Sequence, residues 1–571
     1  MAQVGDENES KDAPKVVQSL DPESYKPHNN FVNGLLTDLY QITMTYAYWK
    51  NNHAQQNACF DLFFRKCPFK GEYAVFGGLD DVLRFLNTFG YSKQDIDNLR
   101  GKFPSWDEKF WEYLSGINGN ELTVYSQKEG SICFPRIPLL RIEGPVAVCQ
   151  LIETTLLNLV NYASLVTTNA CRIRRAVGDD KSLLEFGLRR AQGPDGAMSA
   201  SKYAYIGGFN GTSNVQAGIL NNIPIKGTHA HSFVSSFPGL DVLDKDCLTV
   251  LPSAKDSDDT KNDKQTKTFM DLVLEYRNKL DKGKTTNEGE LAAFIAYAVA
   301  FPSGFLALVD TYDTLNSGIV NFIAVSLALN DLGYKSIGIR LDSGDLAYLS
   351  KECRKYFKSM ADKFNLDFLG NVTIVASNDI NEAVIHALKE QGHEIDAFGI
   401  GTHLVTCKRQ PALGCVYKLV AIDGKPRIKV SQSHSKMTIP GKKMAYRLWT
   451  KSSSEPILDI LVRDPSEAGD SYCKVGKQIM CEHAFDVTKR CRVLASRVEP
   501  ILIPVYEKGK VVHQTPTLTE VRKHRQEEIA QFRTDYLRYS NPTPYKVSVS
   551  TSLRELTQKL WRQEVPVVDY Q

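Results

Sequence analysis

Two histidines lie two residues apart in the most reactive short motif of the sequence. Residues 227–232 read GTHAHS, shortly after the apolar segment 223–225. An imidazole is a competent nucleophile and proton carrier near neutral pH, and the neighbouring hydroxyls add hydrogen-bonding groups. The motif indicates a nucleophile or proton-transfer site. A metal site and a pair of structural histidines beside a strand remain alternatives.

A second motif, RLDSGD at residues 340–345, combines a guanidinium, two carboxylates and a glycine turn. An arginine at the end of a strand can hold a planar carboxylate through two charge-assisted hydrogen bonds. The alternative is an internal ion pair between Arg340 and a neighbouring aspartate. The motif thus predicts either an anion site or a structural ion pair.

Two further segments could bind a flat ring or a phosphate. Residues 399–402 (GIGT) offer backbone N–H groups and a hydroxyl, a common phosphate cradle after a late strand of a barrel. Residues 186–194 (FGLRRAQGP) place an aromatic ring, two arginines and a glycine turn together. That segment could stack a ring and hold an anion, or it could be a helix end with solvated arginines.

Alternating strands and helices over residues 305–402 must position these motifs. The pattern predicts strands at 305–309, 336–340, 372–376 and 395–398, with helices at 318–332, 346–364 and 381–390. Short connections between such elements produce right-handed βαβ units and a parallel sheet. Polar residues follow every strand: Asp310 and Asp313, then 340–345, 377–379 and 399–402. Ligand sites of parallel α/β folds are built at that edge.

Other elements are predicted from patterning and caps. Residues 151–177 read as one helix whose last turn holds structural arginines, because basic residues suit that end of the helix dipole. Residues 291–309 are uncharged but interrupted at 302–304, which favours a buried helix and strand over a membrane span. Residues 552–555 read as a capping box. Thr37 reads as the cap of a helix in which Tyr40, on spacing alone, is a core residue.

Composition narrows the class of protein. The chain has 571 residues, 42% hydrophobic and 24% charged, with a net charge of +3. A net positive charge this small produces no overall electrostatic field that would attract nucleic acid or an acidic membrane surface. The 12 cysteines form no C-x-x-C pair, which favours free thiols in a reducing compartment. Residues 1–30 lack a signal or transit pattern, so a disordered tail and a cytosolic protein are expected.

Seven segments follow one another along the chain: TDLYQ at 37–41, FFRKCPF at 63–69, FGLRRAQGPDG at 186–196, GTHAHSF at 227–233, RLDSGD at 340–345, ASND at 376–379 and GIGTHL at 399–404. Together they resemble the motifs of one family, the nicotinate phosphoribosyltransferases, most closely its animal and related bacterial branch. The resemblance implies an irregular α/β barrel beside a second α+β domain built from both chain ends. The corresponding domains are 31–160 completed by 425–505, a catalytic barrel at 161–424 with a surface insertion at 253–267, and a helical extension at 506–571.

The resemblance also implies a reaction, the first step of NAD salvage from nicotinic acid. Nicotinate displaces pyrophosphate from phosphoribosyl pyrophosphate, and ATP hydrolysis assists through a phosphorylated histidine, here His231. The remaining implied roles fall into two groups. Nicotinate is bound by Tyr40, Phe186, Arg189, Thr228 and Arg340, and the phosphoribosyl and phosphate groups by Gly401, Thr402 and Arg65.

Cofactor and partner expectations follow from the same resemblance. Mg²⁺, or Mn²⁺, accompanies the polyphosphates near Asp310 or Asp313, and ATP is a co-substrate. A homodimer with shared active sites is implied, because the residue matching Tyr40 reaches the partner's site. Many microbial relatives have an acidic residue where this chain has Ser232, so no proton-handling role is assigned there.

Two other functions fit the same motifs. A nicotinamide phosphoribosyltransferase shares the fold, the histidine and an SGD loop, but differs near Leu39, Gln41 and Leu341. A non-catalytic nucleotide-binding relative is disfavoured because no motif residue with a chemical role is missing. A Schiff-base aldolase on a barrel lacks a lysine at the predicted strand ends.

Overall fold

The computed structural model describes residues 25–243, 268–431, 436–464 and 472–565. The α-helices of these residues, in chain order, are α1 Leu39–Lys50, α2 Leu79–Thr88, α3 Lys93–Lys102, α4 Glu108–Ser115, α5 Val146–Leu151, α6 Glu153–Val177, α7 Gly193–Gly207, α8 Val215–Asn221, α9 His231–Ser235, α10 Phe269–Lys279, α11 Glu288–Ala300, α12 Ile319–Asp331, α13 Leu346–Phe364, α14 Asp367–Gly370, α15 Glu382–Gln391, α16 Thr402–Val405, α17 Leu518–Ala530 and α18 Thr551–Glu564.

The strands of the same residues, again in chain order, are β1 Asn57–Phe64, β2 Ala74–Val75, β3 Thr123–Ser126, β4 Ile132–Cys133, β5 Leu140–Pro145, β6 Ser182–Glu185, β7 Gly211–Thr212, β8 Leu306–Leu308, β9 Gly338–Leu341, β10 Thr373–Ala376, β11 Ala397–Ile400, β12 Cys415–Ile422, β13 Lys425–Pro426, β14 Lys443–Trp449, β15 Leu458–Arg463, β16 Gln478–Glu482, β17 Arg490–Leu494, β18 Arg497–Pro500, β19 Ile503–Glu507, β20 Lys510–Val511 and β21 Lys546–Val549.

The described residues fall into two compact units. One unit combines the chain up to Thr168 with the chain from Ala412 onward, and the other is Asn169–Pro411. The second unit contains β6 to β11 and helices α7 to α16. Both ends of the chain therefore contribute to the first unit.

A six-stranded parallel sheet is the framework of the second unit. Its strand order is β7-β6-β11-β10-β9-β8, and every neighbouring pair is parallel. The prediction of a parallel α/β arrangement over residues 305–402 is confirmed, because β8, β9, β10 and β11 alternate with α12, α13 and α15. Both faces of these strands are apolar and buried, as in parallel sheets covered by helices.

Local signals explain where these helices begin and end. Helix α13 begins after Asp345, whose carboxylate accepts the backbone N–H of Tyr348, and ends at Phe364, before Asn365, which has a φ of 55°. Helix α15 begins after Asn381, whose side chain accepts two N–H groups of the first turn. The predicted and observed bounds of α13 coincide because both caps are polar residues of the preferred types.

The uncharged segment 291–309 divides as predicted. Helix α11 ends at Ala300, a short 3₁₀ turn covers Pro302–Gly304, and β8 begins at Leu306. Across the described ranges, no helix is both long and apolar enough to cross a membrane.

The first unit is rich in β-structure. A seven-stranded sheet has the order β13-β12-β1-β5-β3-β19-β20, and a six-stranded sheet has the order β17-β16-β21-β15-β14-β18. Buried ion pairs hold strands together: Lys443 Nζ lies 2.5 Å from Asp61 Oδ2, and Arg447 Nε lies 2.9 Å from Asp459 Oδ1. Residues 506–565 provide α17 and α18 and also strand β21, which pairs with β15.

Two cap predictions need correction. Thr37 does not cap α1, because the cap is Asp38 and the helix begins at Leu39. Ser552 lies inside α18, whose cap is Ser550; the Ser550 hydroxyl accepts the N–H of Leu553. Both errors follow from the same cause: serine, threonine and aspartate are all good caps, and neighbouring candidates compete.

Three other predictions concern the long helix and the loops. The helix predicted over 151–177 is α6, Glu153–Val177, which begins two residues later than predicted because Ile152 separates it from the short helix α5. Its terminal arginines are structural as predicted: Arg172 pairs with Glu382, and Arg174 donates to the carbonyls of Gly178 and Lys181. The insertion at 253–267 lies outside the described residues.

The predicted tail is described only in part. Residues 1–24 lie outside the described residues. Tyr25 is buried, and its hydroxyl donates to Oδ1 of Asp80 at 2.9 Å.

Candidate functional site

The ends of four parallel strands meet at one edge of the second unit's sheet. Because parallel strands share one direction, the residues that follow β6, β9, β10 and β11 surround a common cavity. The cavity is polar, and its lining consists of Phe186, Arg189, Arg190, Arg340, Asp342, Ser377, Asn378, Asp379, Ile380, Gly399, Gly401, Thr402 and His403. Four segments of the chain, the first beginning at Phe186 and the last ending at His403, therefore form one site.

His231 is the first residue of α9 and keeps an accessible ring. Its Nδ1 lies 3.0 Å from the hydroxyl oxygen of Thr311. Its Nε2 lies 3.7 Å from Oδ2 of Asp342 and 4.0 Å from Oδ1 of Asp310. Since 43% of the side chain is exposed, a substrate can reach the ring. The geometry is that of a nucleophile or proton carrier oriented by a hydroxyl on one side and carboxylates on the other.

His229 has a structural role. Its Nε2 accepts the backbone N–H of Leu308 at 3.3 Å, and its ring packs edge-on against Tyr297 at 4.8 Å between centroids. Burial lowers the pKa of His229 to about 4, so the imidazole is neutral at physiological pH. The two histidines of the motif therefore differ: His229 is partly buried and held by the fold, whereas the His231 ring is accessible.

Two carboxylates beside His231 are held in fixed positions. Oδ2 of Asp310 accepts the backbone N–H of Asp342 at 2.9 Å and the hydroxyl of Ser343 at 2.6 Å. Oδ1 of Asp342 accepts the hydroxyl of Ser377 at 2.8 Å. The buried Oδ1 of Asp310 has no hydrogen-bond partner in the described residues. That oxygen is available to a ligand or an ion.

Asp313 differs from Asp310. Oδ1 of Asp313 accepts the N–H groups of Leu315 and Asn316, and its Oδ2 accepts the Asn316 amide. These bonds hold the pKa of Asp313 below its ordinary value. The carboxylate is therefore committed to capping the turn that leads into α12. Within the described ranges, no group of three or more His, Cys, Asp or Glu side chains forms a preformed metal site.

Arg340, near the end of β9, is a partly buried cation that forms no close ion pair with the described residues. Its guanidinium donates to Oγ1 of Thr228 at 3.1 Å and to the carbonyl of His229 at 3.1 Å. In the described part of the chain, no carboxylate lies within 4.0 Å of it, and its Nε has no hydrogen-bond partner. Burial lowers the pKa of Arg340, against the opposing charges of Asp342 and Asp310. The predicted alternative of an internal ion pair is therefore wrong.

The segment after β6 supplies the aromatic wall of the cavity. Phe186 follows β6 directly, and its backbone N–H donates to Ile400 on β11. The ring covers Gly399, where the structure leaves no room for a Cβ. Arg189 and Arg190 follow in an exposed 3₁₀ turn, and Nη1 of Arg190 donates to Oγ1 of Thr402 at 3.2 Å.

Gly401 and Thr402 begin the short helix α16 at the end of β11. A Cβ on Gly401 would approach the carbonyl oxygen of Phe186 to 2.9 Å, so a side chain larger than hydrogen would crowd the strand. The N–H groups of this turn and the Thr402 hydroxyl border the cavity. This arrangement suits an anion such as a phosphate.

Tyr40 and Arg65 lie in the first unit. Tyr40 is 47% exposed on α1, and its hydroxyl donates to Glu153 at 3.2 Å, so its interpretation as a core residue was wrong. Arg65 follows β1, and burial lowers the pKa of its guanidinium. Its Nε is buried without a hydrogen-bond partner in the described residues. Both side chains keep polar atoms available to a ligand or partner.

Two polar residues near the site were not found from the sequence. Thr311 contacts His231, and Glu185 is buried at the end of β6. The only signal for Glu185 is a charged residue inside an apolar strand, immediately before the FGLRR segment. Thr311 gives no signal beyond its place after Asp310.

Solved structures define the class of protein. A crystal structure of human nicotinic acid phosphoribosyltransferase matches with a TM-score of 0.81 and 39% identity, over 92% of this chain and 100% of that one. A nicotinate-nucleotide pyrophosphorylase from Pyrococcus furiosus matches with a TM-score of 0.58 and 21% identity, over 87% of this chain and 95% of that one, which shows the fold alone. The fold is that of the type II phosphoribosyltransferases, so the predicted fold class is confirmed.

Sequence comparison identifies the family within this class. Models of the nicotinate phosphoribosyltransferase N-terminal domain, family and C-terminal domain match residues 35–161, 326–464 and 442–557. Nicotinate phosphoribosyltransferase of Dictyostelium discoideum is 52% identical over 95% of this chain and 90% of its own length. The human enzyme of that name is 42% identical over 93% of this chain and 97% of its own length. The chain belongs to the nicotinate phosphoribosyltransferase family and is an enzyme, as the motifs predicted.

Proposed function

We propose that this chain joins nicotinate to phosphoribosyl pyrophosphate and forms nicotinate mononucleotide and pyrophosphate, a step of NAD biosynthesis. The ring nitrogen of nicotinate forms a bond to C1′ of the sugar, and the bond from C1′ to the pyrophosphate oxygen breaks. The carrying observation is Arg340, a partly buried guanidinium that borders the cavity and has no carboxylate within 4.0 Å in the described residues. A substrate carboxylate supplies the missing partner, whereas the amide of nicotinamide does not.

The aromatic and polar walls support a planar ring in the same place. Phe186 stacks on one face of the pyridine, and Thr228, held by Arg340, borders the carboxylate. Arg189 adds a second cation at the exposed edge. Two cations around one small anion favour nicotinate over nicotinamide, at about 1.4 kcal/mol for each tenfold difference in affinity.

The phosphoribosyl end lies along the turn after β11. Gly401 and Thr402 bind the 5′-phosphate through backbone N–H groups and the hydroxyl, and Arg190 stands beside them. Arg65 remains the candidate for the pyrophosphate, on the strength of its unpartnered Nε.

His231 carries the phosphoryl group during coupled ATP hydrolysis. A ring nitrogen forms a bond to the γ-phosphorus of ATP as the bond to the ADP oxygen breaks, and water later cleaves the phosphohistidine. The exposed ring and the contact with Thr311 support this role. Asp310 and Asp342 lie beside Nε2 of the ring and orient it.

A divalent cation fits beside Asp310. The buried Oδ1 of Asp310 lacks a partner, and carboxylate oxygens are the ligands that Mg²⁺ prefers, completed by water and substrate phosphates. Mn²⁺ has similar preferences. When bound, the ion neutralises polyphosphate charge. Asp313 fits less well, because both of its oxygens are engaged in the cap.

The chain forms a homodimer in which each active site contains residues of both subunits, and the dimer acts in the cytosol. An exposed tyrosine at the start of a helix, next to the exposed Leu39, is an unusual surface for an unpartnered protein. In the dimer, the ring of Tyr40 covers the second face of the nicotinate bound by the partner subunit.

The test is a product assay on the purified full chain. We supply phosphoribosyl pyrophosphate and Mg²⁺ with nicotinate or nicotinamide, with and without ATP, and measure mononucleotide and ADP. The proposal predicts nicotinate mononucleotide, with formation stimulated by ATP. Product from nicotinamide alone would remove Arg340 from its role, and absence of product from both would favour a non-catalytic nucleotide binder.

A further inference from the structure

A buried carboxylate lies directly behind the ring-binding segment. Glu185 is the last residue of β6, and only 1% of it is exposed. In the described residues, no cation lies within 4.0 Å of its carboxylate, in contrast to the buried acids Asp61 and Asp459. Burying a charged group without a counter-ion is costly, so its hydrogen bonds must hold it.

Three neutral donors satisfy this carboxylate. One oxygen accepts the backbone N–H of Gly187. The other accepts the hydroxyl of Ser201 on α7 at 2.8 Å and the hydroxyl of Thr212 on β7 at 2.5 Å. Asn214 extends the network, because its amide donates to Ser201 and its N–H donates to Thr212. The Glu185 side chain thus connects α7 and β7 to the turn that follows β6.

That turn begins with Phe186 and continues to Arg189. Phe186 lies between Glu185 and Gly187, so the bond from the Glu185 carboxylate to the Gly187 N–H closes a ring around the Phe186 backbone. On the other side, Gly187 packs so tightly against Val405 of α16 that no Cβ fits. The direction in which Phe186 and Arg189 leave the strand is therefore fixed from both sides.

We propose that Glu185 is a positioning residue for nicotinate, which sets the placement of Phe186 and Arg189 through its bond to Gly187. This inference rests on the proposed function of the cavity. Glu185 does not line the cavity, so it acts through the turn and not by touching substrate. Loss of the carboxylate leaves Gly187 without its acceptor and frees the turn to rotate away from Gly399.

The experiment compares Glu185→Ala with Glu185→Gln in the full-length enzyme. We expect Glu185→Ala to raise the nicotinate KM at least tenfold and to change the KM of phosphoribosyl pyrophosphate less than twofold. Glu185→Gln recovers most of the nicotinate affinity, because an amide oxygen can still accept the Gly187 N–H while the amide N–H₂ donates to a hydroxyl oxygen. A purely structural role would lower thermal stability without this split between the two KM values.

Glu290 provides a matched control in the same unit. It is also fully buried, and neutral donors also hold it, Ser317 at 2.5 Å and Asn321 at 3.0 Å. Glu290→Ala should lower the melting temperature and leave the nicotinate KM unchanged. If Glu185→Ala does not fold, the double variant Ser201→Ala, Thr212→Val removes two of the three donors and should raise the nicotinate KM in the same direction.

Wild-type turnover separates the two hypotheses. Absence of product from the wild type would overturn the proposed function and the role of Glu185 with it. Wild-type turnover together with an unchanged nicotinate KM in Glu185→Ala would overturn the role of Glu185 alone. An equal rise of both KM values in Glu185→Ala would likewise overturn it.

Discussion

Nε2 of His231 lies 3.7 Å from Oδ2 of Asp342, although 111 residues separate the two in the chain. The Ser377 hydroxyl holds the other oxygen of Asp342, and the Thr311 hydroxyl lies against Nδ1 of His231. The imidazole is therefore oriented on both nitrogens while nearly half of its surface stays exposed. A histidine that attacks a bulky triphosphate needs a ring that is both oriented and accessible.

His231→Ala should abolish ATP hydrolysis that depends on nicotinate and phosphoribosyl pyrophosphate, while some uncoupled transfer remains. The reason is that no other exposed imidazole lies beside Asp310 and Asp342 in the described residues. ADP release measured beside mononucleotide formation checks this. Ser232→Ala, an exposed neighbour, is the control and should keep full coupling. Equal ADP release in the His231 variant would contradict the assignment.

Arg340→Ala should raise the nicotinate KM about 10- to 100-fold, since a charge-assisted hydrogen bond is worth about 1.5–3 kcal/mol. Thermal stability should change little, because Arg340 has no protein carboxylate to leave unpaired. Steady-state kinetics and a melting curve on the same preparation test both statements. Arg354 is the comparison, since it pairs with Asp396 at 2.6 Å, and Arg354→Ala should lower stability. Early unfolding of the Arg340 variant with an unchanged KM would show a structural cation instead.

Acid should destabilise the second unit through His229. Its pKa is lowered from 6.5 in an unfolded chain to about 4 in the fold, because burial disfavours the charged ring. Between these values the unfolded state binds more protons, so stability is fully present above pH 6.5 and falls as pH drops toward 4. The loss from this residue reaches about 3 kcal/mol.

His229→Gln isolates that contribution. A glutamine oxygen can accept the Leu308 N–H that Nε2 of His229 accepts, but it does not titrate. Denaturant unfolding at pH 7 and pH 4.5 should show a smaller loss of stability in the variant than in the wild type. Identical losses would mean that other groups control acid unfolding.

Shared active sites predict complementation between two inactive variants. Tyr40→Ala lacks the aromatic side chain that the partner's site needs, and His231→Ala lacks the nucleophile. If each site combines Tyr40 of one subunit with His231 of the other, mixed dimers contain one intact site. Random mixing of equal amounts forms half mixed dimers, so about a quarter of the wild-type coupled activity should return. No recovery after verified subunit exchange would place Tyr40 outside the partner's site.

Sequence patterning was sufficient for the parallel sheet of the second unit. Strands apolar on both faces, helices of regular period and strong caps at Asp345 and Asn381 define these elements locally, so β8 to β11 and their helices lie close to the predicted bounds. Caps failed where several good candidates were adjacent, as at Thr37 and Ser552. Local propensity cannot choose between neighbouring serines and aspartates, because packing of the helix decides which one begins it.

The sequence by itself determined which residue types reach the carboxyl edge of the sheet. Strand direction and loop position follow from local periodicity, and they bring the segments containing Phe186, Arg340 and Thr402 to one cavity. The family motifs also identified His231 from the sequence, because the residues that define a short motif are neighbours in the chain.

Only the tertiary structure decided how the charges and hydrogen bonds are distributed. His229 is more buried than His231, a difference that the motif itself does not show. Asp313 caps a turn, whereas Asp310 keeps an oxygen without a hydrogen-bond partner in the described residues. Arg340 forms no close ion pair with them. The tertiary structure also revealed Glu185 behind the ring-binding turn. These outcomes depend on which elements pack together across long sequence separations. Burial and partner choice, unlike strand periodicity, are properties of the packed structure and have no local signal in the chain.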